Sequence, residues 1–395
     1  VKQVVRVKHE LRDVCELING RAYSKDELLT EGKYPVLRVG NFFTNNNWYH
    51  SDLELPAEKY CKAGDLLYAW SASFGPRIWS GPKVIFHYHI WKVIPNPALI
   101  DQRYLFYFFI WDTDRIKQDQ GAGTTMIHVA KGSMEAREIA LPPLPEQRRI
   151  VAILDEAFEA IATAKENAER NLRGAREVWS KQLDIFFENK DSSWKETTVE
   201  NILLDQPRNG WSPPAANHSD SGTPVLTLSS VTGFVFREEK IKFTSAETNP
   251  NAHYWVKNGD LLLTRSNTPT LVGHVAVAEG LIEPTIYPDL IMRMTPDPIL
   301  VECKFLYYQL RTSYLREIIT SRAQGANPTM VKLNKSSVQS LPISVPSLDV
   351  QRQIVDELEN LAYQTQTLAT IYDQKISALD ELKKSLLHQA FSGQL

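Results

Sequence analysis

Few patterns in this 395-residue sequence place reactive side chains at a spacing that chemistry could use. Pro288-Asp289 followed by Glu302-Cys303-Lys304 fits metal-dependent nucleases, where two carboxylates hold Mg²⁺ and a lysine assists the attacking water. The pattern is permissive. The aligned first half of the chain offers only Asp101-Gln102-Arg103 in its place, and Lys304 opens an expected helix, so no hydrolysis is assigned to it. His87-Tyr88-His89 sets two imidazoles on one face of an expected strand, but a structural zinc site wants four ligands and no third follows nearby. Strand surface or domain packing is the reading for that pair. Gly121-Ala122-Gly123 lacks the helix and third glycine of a phosphate-cradling turn, and the chain has no Walker motif and no glycine-rich signature for S-adenosylmethionine. No catalytic residue and no metal ligand is therefore assigned.

Composition narrows the class further. Cys15, Cys61 and Cys303 are scattered and odd in number, which points to a reducing compartment rather than a disulfide framework. No apolar run approaches a membrane span, and a cytoplasmic location is expected. The net charge is −3, and residues 1–145 hold 18 basic against 16 acidic side chains, so no region is the basic block that advertises nucleic acid. Any DNA-binding role must rest on architecture.

That architecture is set by residues 141–189, which read as one long helix. Pro145 suits a first helical turn and Glu146 the positive end of the dipole. A stripe of small or apolar residues runs through Ile150, Leu154, Ala157, Ile161, Ala164, Ala168, Leu172, Ala175, Trp179, Gln182 and Phe186, with a stutter between Ala168 and Leu172. The last 50 residues repeat the stretch without a gap. Gln147, Arg148, Ile150, Val151 and Leu154 return as Gln351, Arg352, Ile354, Val355 and Leu358, and the stripe continues through Leu361, Thr365, Leu368, Tyr372, Ile376, Leu379, Lys383, Leu386 and Ala390. Two helices in one register are natural antiparallel partners. Phe158, Val178, Ile185 and Phe187, beside the stripe, are expected as exposed contacts for further partners.

The globular parts repeat as well. Residues 35–39, 66–70, 84–86 and 90–94 read as strands, and 104–118 as a helix whose aromatic face is core. Asn19-Gly20 matches Asn209-Gly210, Tyr34-Pro35-Val36-Leu37 matches Thr223-Pro224-Val225-Leu226, and Lys62-Ala63-Gly64-Asp65 matches Lys257-Asn258-Gly259-Asp260. Gln120-Gly121-Ala122 with Thr125-Met126 matches Gln324-Gly325-Ala326 with Thr329-Met330. The expected fold is α+β: two tandem α/β domains, residues 1–140 and 191–341, with two long antiparallel coiled-coil helices, 141–190 and 342–395, in a pseudo-two-fold repeat. Such a pair of domains on a semi-rigid ruler suits a two-part site on a two-fold duplex.

The paired junctions LPPLPEQRRIV and LPISVPSLDVQRQIV, the KAGDLLYAWSASFG and KNGDLLLTRSNTPTLVG blocks and the closing SLLHQAFSGQL resemble the specificity subunits of type I restriction–modification systems across the whole chain. The resemblance implies two target recognition domains, each reading half of a bipartite double-stranded DNA site. It also implies spacer helices that dock two methyltransferase subunits, with restriction subunits completing the complex. S-adenosylmethionine would then sit on the methyltransferase partner and ATP with Mg on the restriction partner, with no cofactor on this chain. The Asn-Pro-Pro-aromatic tetrapeptide of those methyltransferases is absent here. The family's Gln-x-Asn-Ile pattern has drifted in both copies, to GAGTTMIHVAKGS and GANPTMVKLNKSS, so no contact is carried onto Met126 or Met330. Because the copies differ, the target is expected to be asymmetric.

Reading base edges takes forked or planar hydrogen-bonding groups on loops. In the first domain the candidates are Asn41, Asn45, Asn46, Asn47, Trp48, Ser71, Arg77, Thr124, Thr125 and Lys131. In the second they are Asn209, Trp211, Arg265, Ser266, Asn267, Thr268, Arg322, Gln324, Asn327 and Lys332. The rival readings are the specificity portion of a fused restriction enzyme, a DNA nuclease, or an assembly scaffold that reads nothing.

Overall fold

The computed structural model describes residues 5–71, 74–119, 128–281, 283–327 and 329–395, with backbone only at 118–119 and 326–327. The two long helices are Leu144–Glu188 and Leu348–Ser392, 45 residues each. By compactness the chain divides into a unit of residues 1–169 with 373–395 and a unit of residues 170–372. Each long helix thus shares its length between the two units, for a reason visible in their cores.

In the first unit a four-stranded antiparallel sheet runs in the order Cys15–Asn19, Ile90–Pro95, Leu66–Ala69, Gly75–Ile78. The helix Gln102–Asp119 covers it, its aromatic run supplying Tyr104, Leu105, Phe108 and Phe109 to a core shared with Tyr68 and Trp91. Ile150, Val151 and Leu154 from the start of the first long helix join this core, with Leu387, Ala390 and Phe391 from the end of the second. The Phe391 ring lies 5.1 Å from Tyr104 and 5.4 Å from Trp111. Farther along, Lys383 covers the Phe158 ring and Lys165 pairs with Asp380 at 2.7 Å, so the two helical segments run antiparallel.

The second unit repeats this plan. Its four-stranded sheet has the same order: Arg208–Asn209, Ile291–Met294, Leu261–Thr264, Val275–Val277. Here the start of the second long helix (Ile354, Val355, Leu358) and the end of the first (Leu183) enter the core with Phe305 and Leu306. A second small sheet accompanies each: Val36 pairs in parallel with Ile85, and Val225 bridges in parallel to Ile286.

Three repeated motifs turn out to be framework. Gly64 and Gly259 both hold φ near +93°, a conformation that favours glycine. The following aspartates close the turn: Asp65 accepts from the Lys62 N–H at 2.9 Å and Asp260 from the Lys257 N–H at 2.8 Å. Each also meets a cation from the equivalent neighbouring strand of its own sheet, Lys92 at 2.8 Å and Arg293 at 3.4 Å. Asn-Gly serves close approach: a Cβ on Gly20 or Gly210 would collide with the backbone carbonyls of His87 or Tyr287. Gln147 and Gln351 are fully buried, and each amide makes three hydrogen bonds. Gln147 accepts from the Asp101 N–H at 2.8 Å and donates to the Leu99 and Pro142 carbonyls, both at 2.9 Å. Gln351 accepts from Glu302 N–H at 2.8 Å and donates to the Leu300 and Pro346 carbonyls at 3.1 and 2.9 Å. These two glutamines fasten each long helix to the domain before it.

Several expectations shift by a residue or a role. Every stripe position of the first helix is at least partly buried. In the second, Leu368 is 44 % exposed and Ala369 buried instead, and Lys383 is exposed. Phe158 and Phe187 are half-buried core residues, Phe187 lying 5.2 Å from Phe305, whereas Val178 and Ile185 remain exposed. His87 to His89 form the turn between strands Val84–Phe86 and Ile90–Pro95, where the chain passes from one sheet to the other, so the expected strand is absent. Among the described helices none is long and apolar enough to cross a membrane.

Candidate nucleic-acid interface

The central strand of each four-stranded sheet ends in a rim of polar and aromatic residues, and the backbone hydrogen bonds there align the two rims residue by residue. Trp70 N–H donates to the His89 carbonyl at 3.0 Å, and Arg265 N–H to the Leu290 carbonyl at 2.8 Å. Val129 N–H reaches the Trp70 carbonyl at 3.1 Å, as Leu333 N–H reaches that of Arg265 at 2.9 Å. Ser71 bridges to His128, and Ser266 pairs with Lys332. The frame therefore puts Trp70 where the second domain has Arg265, His89 where it has Leu290, and His128 where it has Lys332. One residue before His89 and Leu290, Tyr88 stands in the place of Asp289.

The first rim is aromatic. Trp70 stacks on Trp91 at 5.8 Å, meets His89 edge-on at 4.9 Å, and donates its indole N–H to the Tyr88 carbonyl at 2.8 Å. The rings of His87 and His89 lie 4.9 Å apart, and those of His89 and His128 6.5 Å apart. Burial, with His89 and Arg38 nearby, holds His87 down to about 4. Burial also lowers His89, helped by His128 and Arg38. Both imidazoles are therefore neutral near pH 7. Beside them opens a hollow of about 510 Å³, bordered by Arg38, Asn41, Asn45 and Asn47.

The second rim carries charged side chains. Arg265 is half-buried and donates from Nη1 to the Asp289 carbonyl at 3.3 Å, while its buried Nε finds no partner among the described residues. Asn267 donates to Thr232 Oγ1 at 3.3 Å and accepts from the Thr268 N–H at 2.9 Å. Lys332 is exposed on the strand Met330–Lys332. Below the rim, Gly233 N–H donates to His274 Nδ1 at 3.0 Å, and burial, with Arg316 and Arg311 nearby, holds His274 down to about 4.

The remaining candidates fall into three groups. Some are committed to the fold: Ser71 and Ser266 are buried, Trp48 packs on Trp79 at 6.4 Å, and Trp211 stacks on Tyr254 at 5.2 Å. Arg322 donates to the Ser337 carbonyl at 3.0 Å, and the Asn209 side-chain oxygen is buried. Others are exposed: Asn45, Asn46, Asn47, Arg77, Lys131, Thr268 and Gln324. Asn41 lies on the short helix Val39–Phe43, not on a loop, and donates to the Asn45 and Asn47 carbonyls at 3.0 and 2.8 Å. Arg77 also donates to the Phe42 carbonyl, and Lys131 pairs with Glu135 at 3.5 Å. Thr124, Thr125 and the Gly121-Ala122-Gly123 run lie outside the described residues, as does the side chain of Asn327.

Sequence reasoning did not name Trp70, took His89 for strand surface or domain packing, and covered His128 only as part of the loop from Thr124 to Lys131. Trp70 aligns with Arg265 in the repeated GDLL blocks, and Met126-Ile127-His128 with Met330-Val331-Lys332, so the signal was present in the repeat. The nuclease-like triplet separates into three structural roles. Asp289 accepts from Ser212 Oγ, Glu302 caps a helix by accepting from Phe305 N–H at 2.7 Å, and Lys304 pairs with Glu359 at 2.6 Å. Among the described residues no three His, Cys, Asp or Glu side chains group to hold a metal ion.

One α/β frame built twice, each copy carrying a differently furnished rim and fastened to a long helix, defines a tandem-repeat, two-domain protein. The chain belongs to the family of the type I restriction modification DNA specificity domain, whose model matches it twice, at residues 6–170 and 192–375. It is 26 % identical over 296 residues to the type I restriction enzyme EcoKI specificity subunit of Escherichia coli strain K12, a match spanning 69 % of this chain and 61 % of the relative. It is 23 % identical over 346 residues to the MjaVIII specificity subunit of Methanocaldococcus jannaschii, covering 84 % of this chain and 79 % of that one. Among solved structures, the fold resembles a chain from work on complex assembly and conformational transition of the type I R-M system, with TM-score 0.76, 19 % identity and coverage of 99 % and 98 %. The HsdS subunit from Thermoanaerobacter tengcongensis follows with TM-score 0.59, 18 % identity and coverage of 99 % and 97 %.

Proposed function

We propose that this chain is the non-catalytic, sequence-reading subunit of a type I restriction–modification complex. Residues 1–140 and 191–341 serve as target recognition domains, each reading one half of a bipartite, asymmetric site in the major groove of double-stranded DNA. Residues 141–190 and 342–395 fix the spacing of the halves and dock two methyltransferase subunits, to which restriction subunits add. The observation that carries this reading is the pair of rims: one backbone frame, built twice, bears Trp70, Tyr88, His89 and His128 in one copy and Arg265, Asp289, Leu290 and Lys332 in the other. A frame held constant beneath a rim that changes is suited to reading two different sequences.

In the second domain Arg265 would face a guanine through its fork, with Asn267, Thr268, Gln324, Asn327 and Lys332 adding base or phosphate contacts. In the first, Asn46, Asn47, Arg77, Thr124, Thr125 and Lys131 would contribute. The buried candidates would hold these groups in place. Chemistry on an adenine requires flipping it from the stack, a step that falls to the methyltransferase subunits with their S-adenosylmethionine. ATP and Mg would belong to the restriction subunits, and this chain carries no cofactor. With a net charge of −3 the chain alone would bind DNA weakly, with its partners supplying much of the phosphate-neutralising surface.

The test is single-molecule methylome sequencing of a host lacking the activity, carrying this chain with its neighbouring methyltransferase gene or the methyltransferase alone. A new bipartite adenine-methylated motif found only with this chain is expected. No new motif, with both proteins present and associated, would overturn the reading in favour of a scaffold.

A further inference from the structure

We propose that Trp70, His89 and His128 form the base-reading rim of the first domain, taking the place that Arg265, Leu290 and Lys332 occupy in the second. The proposal rests on the reading that each domain recognises one half-site, and it names the residues that decide the first half.

Three observations meet at this rim. The first is positional: the backbone bonds that place Arg265 and Lys332 on the second rim recur, bond for bond, around Trp70 and His128. The second is hydrogen-bonding capacity. Among the described residues the ring nitrogens of His89 and His128 make no hydrogen bond, although His89 is half-buried and held against Trp70 and Tyr88. A neutral imidazole offers one donor and one acceptor, and burial keeps His89 neutral. It would therefore recognise the donor and acceptor pattern of a base edge rather than add charge against phosphate. The third is rigidity and spacing. Trp70 is fixed by its stack on Trp91 and its bond to the Tyr88 carbonyl, so the histidines stand on a firm platform. Their rings are 6.5 Å apart, close to two base-pair rises of about 3.4 Å.

A structural zinc site is the main rival for clustered histidines, but it wants four ligands, and no group of three His, Cys, Asp or Glu suited to a metal occurs among the described residues. Arg38, on the border of the adjoining hollow, would hold a phosphate while the imidazoles meet the bases.

The experiment uses the full chain with its methyltransferase partner and reads the methylome of His89→Leu and His128→Lys, each replacing a residue by its counterpart in the second domain, with Arg265→Ala alongside. Both histidine variants are expected to lose about tenfold in discrimination at one or two base pairs of one half-site. The other half and the spacer should stay as they were, and Arg265→Ala should alter that other half. The intact half-site serves as the folding control. If a variant abolishes all methylation, binding of its complex to duplexes substituted at each base pair decides, and unchanged preference at every position of the half-site overturns the proposal. So does an unaltered motif in both histidine variants while Arg265→Ala changes one half. Absence of any bipartite motif with the unmodified chain would instead defeat the half-site reading on which the proposal rests.

Discussion

The two rims differ where the two frames do not, and the contrast separates residues that build from the candidates for reading DNA. Asp65 and Asp260, Lys92 and Arg293, Gln147 and Gln351 perform the same hydrogen bonds or ion pairs in each copy. Five residues beyond those aspartates Trp70 stands where the other copy has Arg265, and His128 stands where it has Lys332. Repetition within one chain thus marks the frame, and divergence on that frame marks the candidates for specificity. A lone sequence motif does not make this distinction: GDLL looks functional because it recurs, but its aspartate closes a turn.

Altering the frame should damage stability and spare the motif. Gln351→Leu leaves the Glu302 N–H and the Leu300 and Pro346 carbonyls without their partner. At about 1–3 kcal/mol for each buried group left unpaired, a loss of about 3 kcal/mol or more is expected. Gln147→Leu should behave alike in the first unit, and thermal or denaturant melts of the purified chain would measure both. A change in the methylated motif without loss of stability would break the distinction between frame and rim.

Acid offers a weaker perturbation. His274 accepts from Gly233 N–H as a neutral imidazole and is held at about 4, below the ordinary 6.5. The unfolded chain therefore takes up the proton first. This contribution to stability is complete above pH 6.5 and declines as pH falls from 6.5 toward 4. The melting temperature should drop over that window, and His274→Gln should flatten the drop. An equally steep fall in the variant would show that other groups control it.

The smallest effect is expected at Lys131, whose pairing with Glu135 is a surface contact of one helical turn. Lys131→Ala should change stability by less than about 0.5 kcal/mol. If Lys131 touches phosphate, the same variant should weaken DNA binding of the assembled complex uniformly across sequences and lower its salt dependence.

Much of this was legible in the sequence because it rests on local periodicity and on repetition. The 45-residue helices, their shared register and the helix Gln102–Asp119 follow from patterns that a single chain displays to itself. The losses have physical causes. Leu368 yields its buried place to Ala369, a slip that a period read along one helix cannot reveal without its partner. Phe158 and Phe187 lie beside the stripe yet are covered by the domains, which only tertiary packing supplies. The rim of the first domain draws on residues 70, 89 and 128, which long-range strand pairing brings together. Polar type alone also failed to separate exposed Asn46 from Ser266, whose side chain is wholly buried.

The central claim, that the two domains read separate half-sites through rims on a common frame, is tested most directly by the methylome of the Arg265→Ala chain beside that of the unaltered chain, each with the same methyltransferase. The account predicts relaxed or altered bases on one side of the spacer, with the opposite half-site and the spacer length unchanged. Changes on both sides, or an identical motif from a variant that folds and assembles, would contradict it.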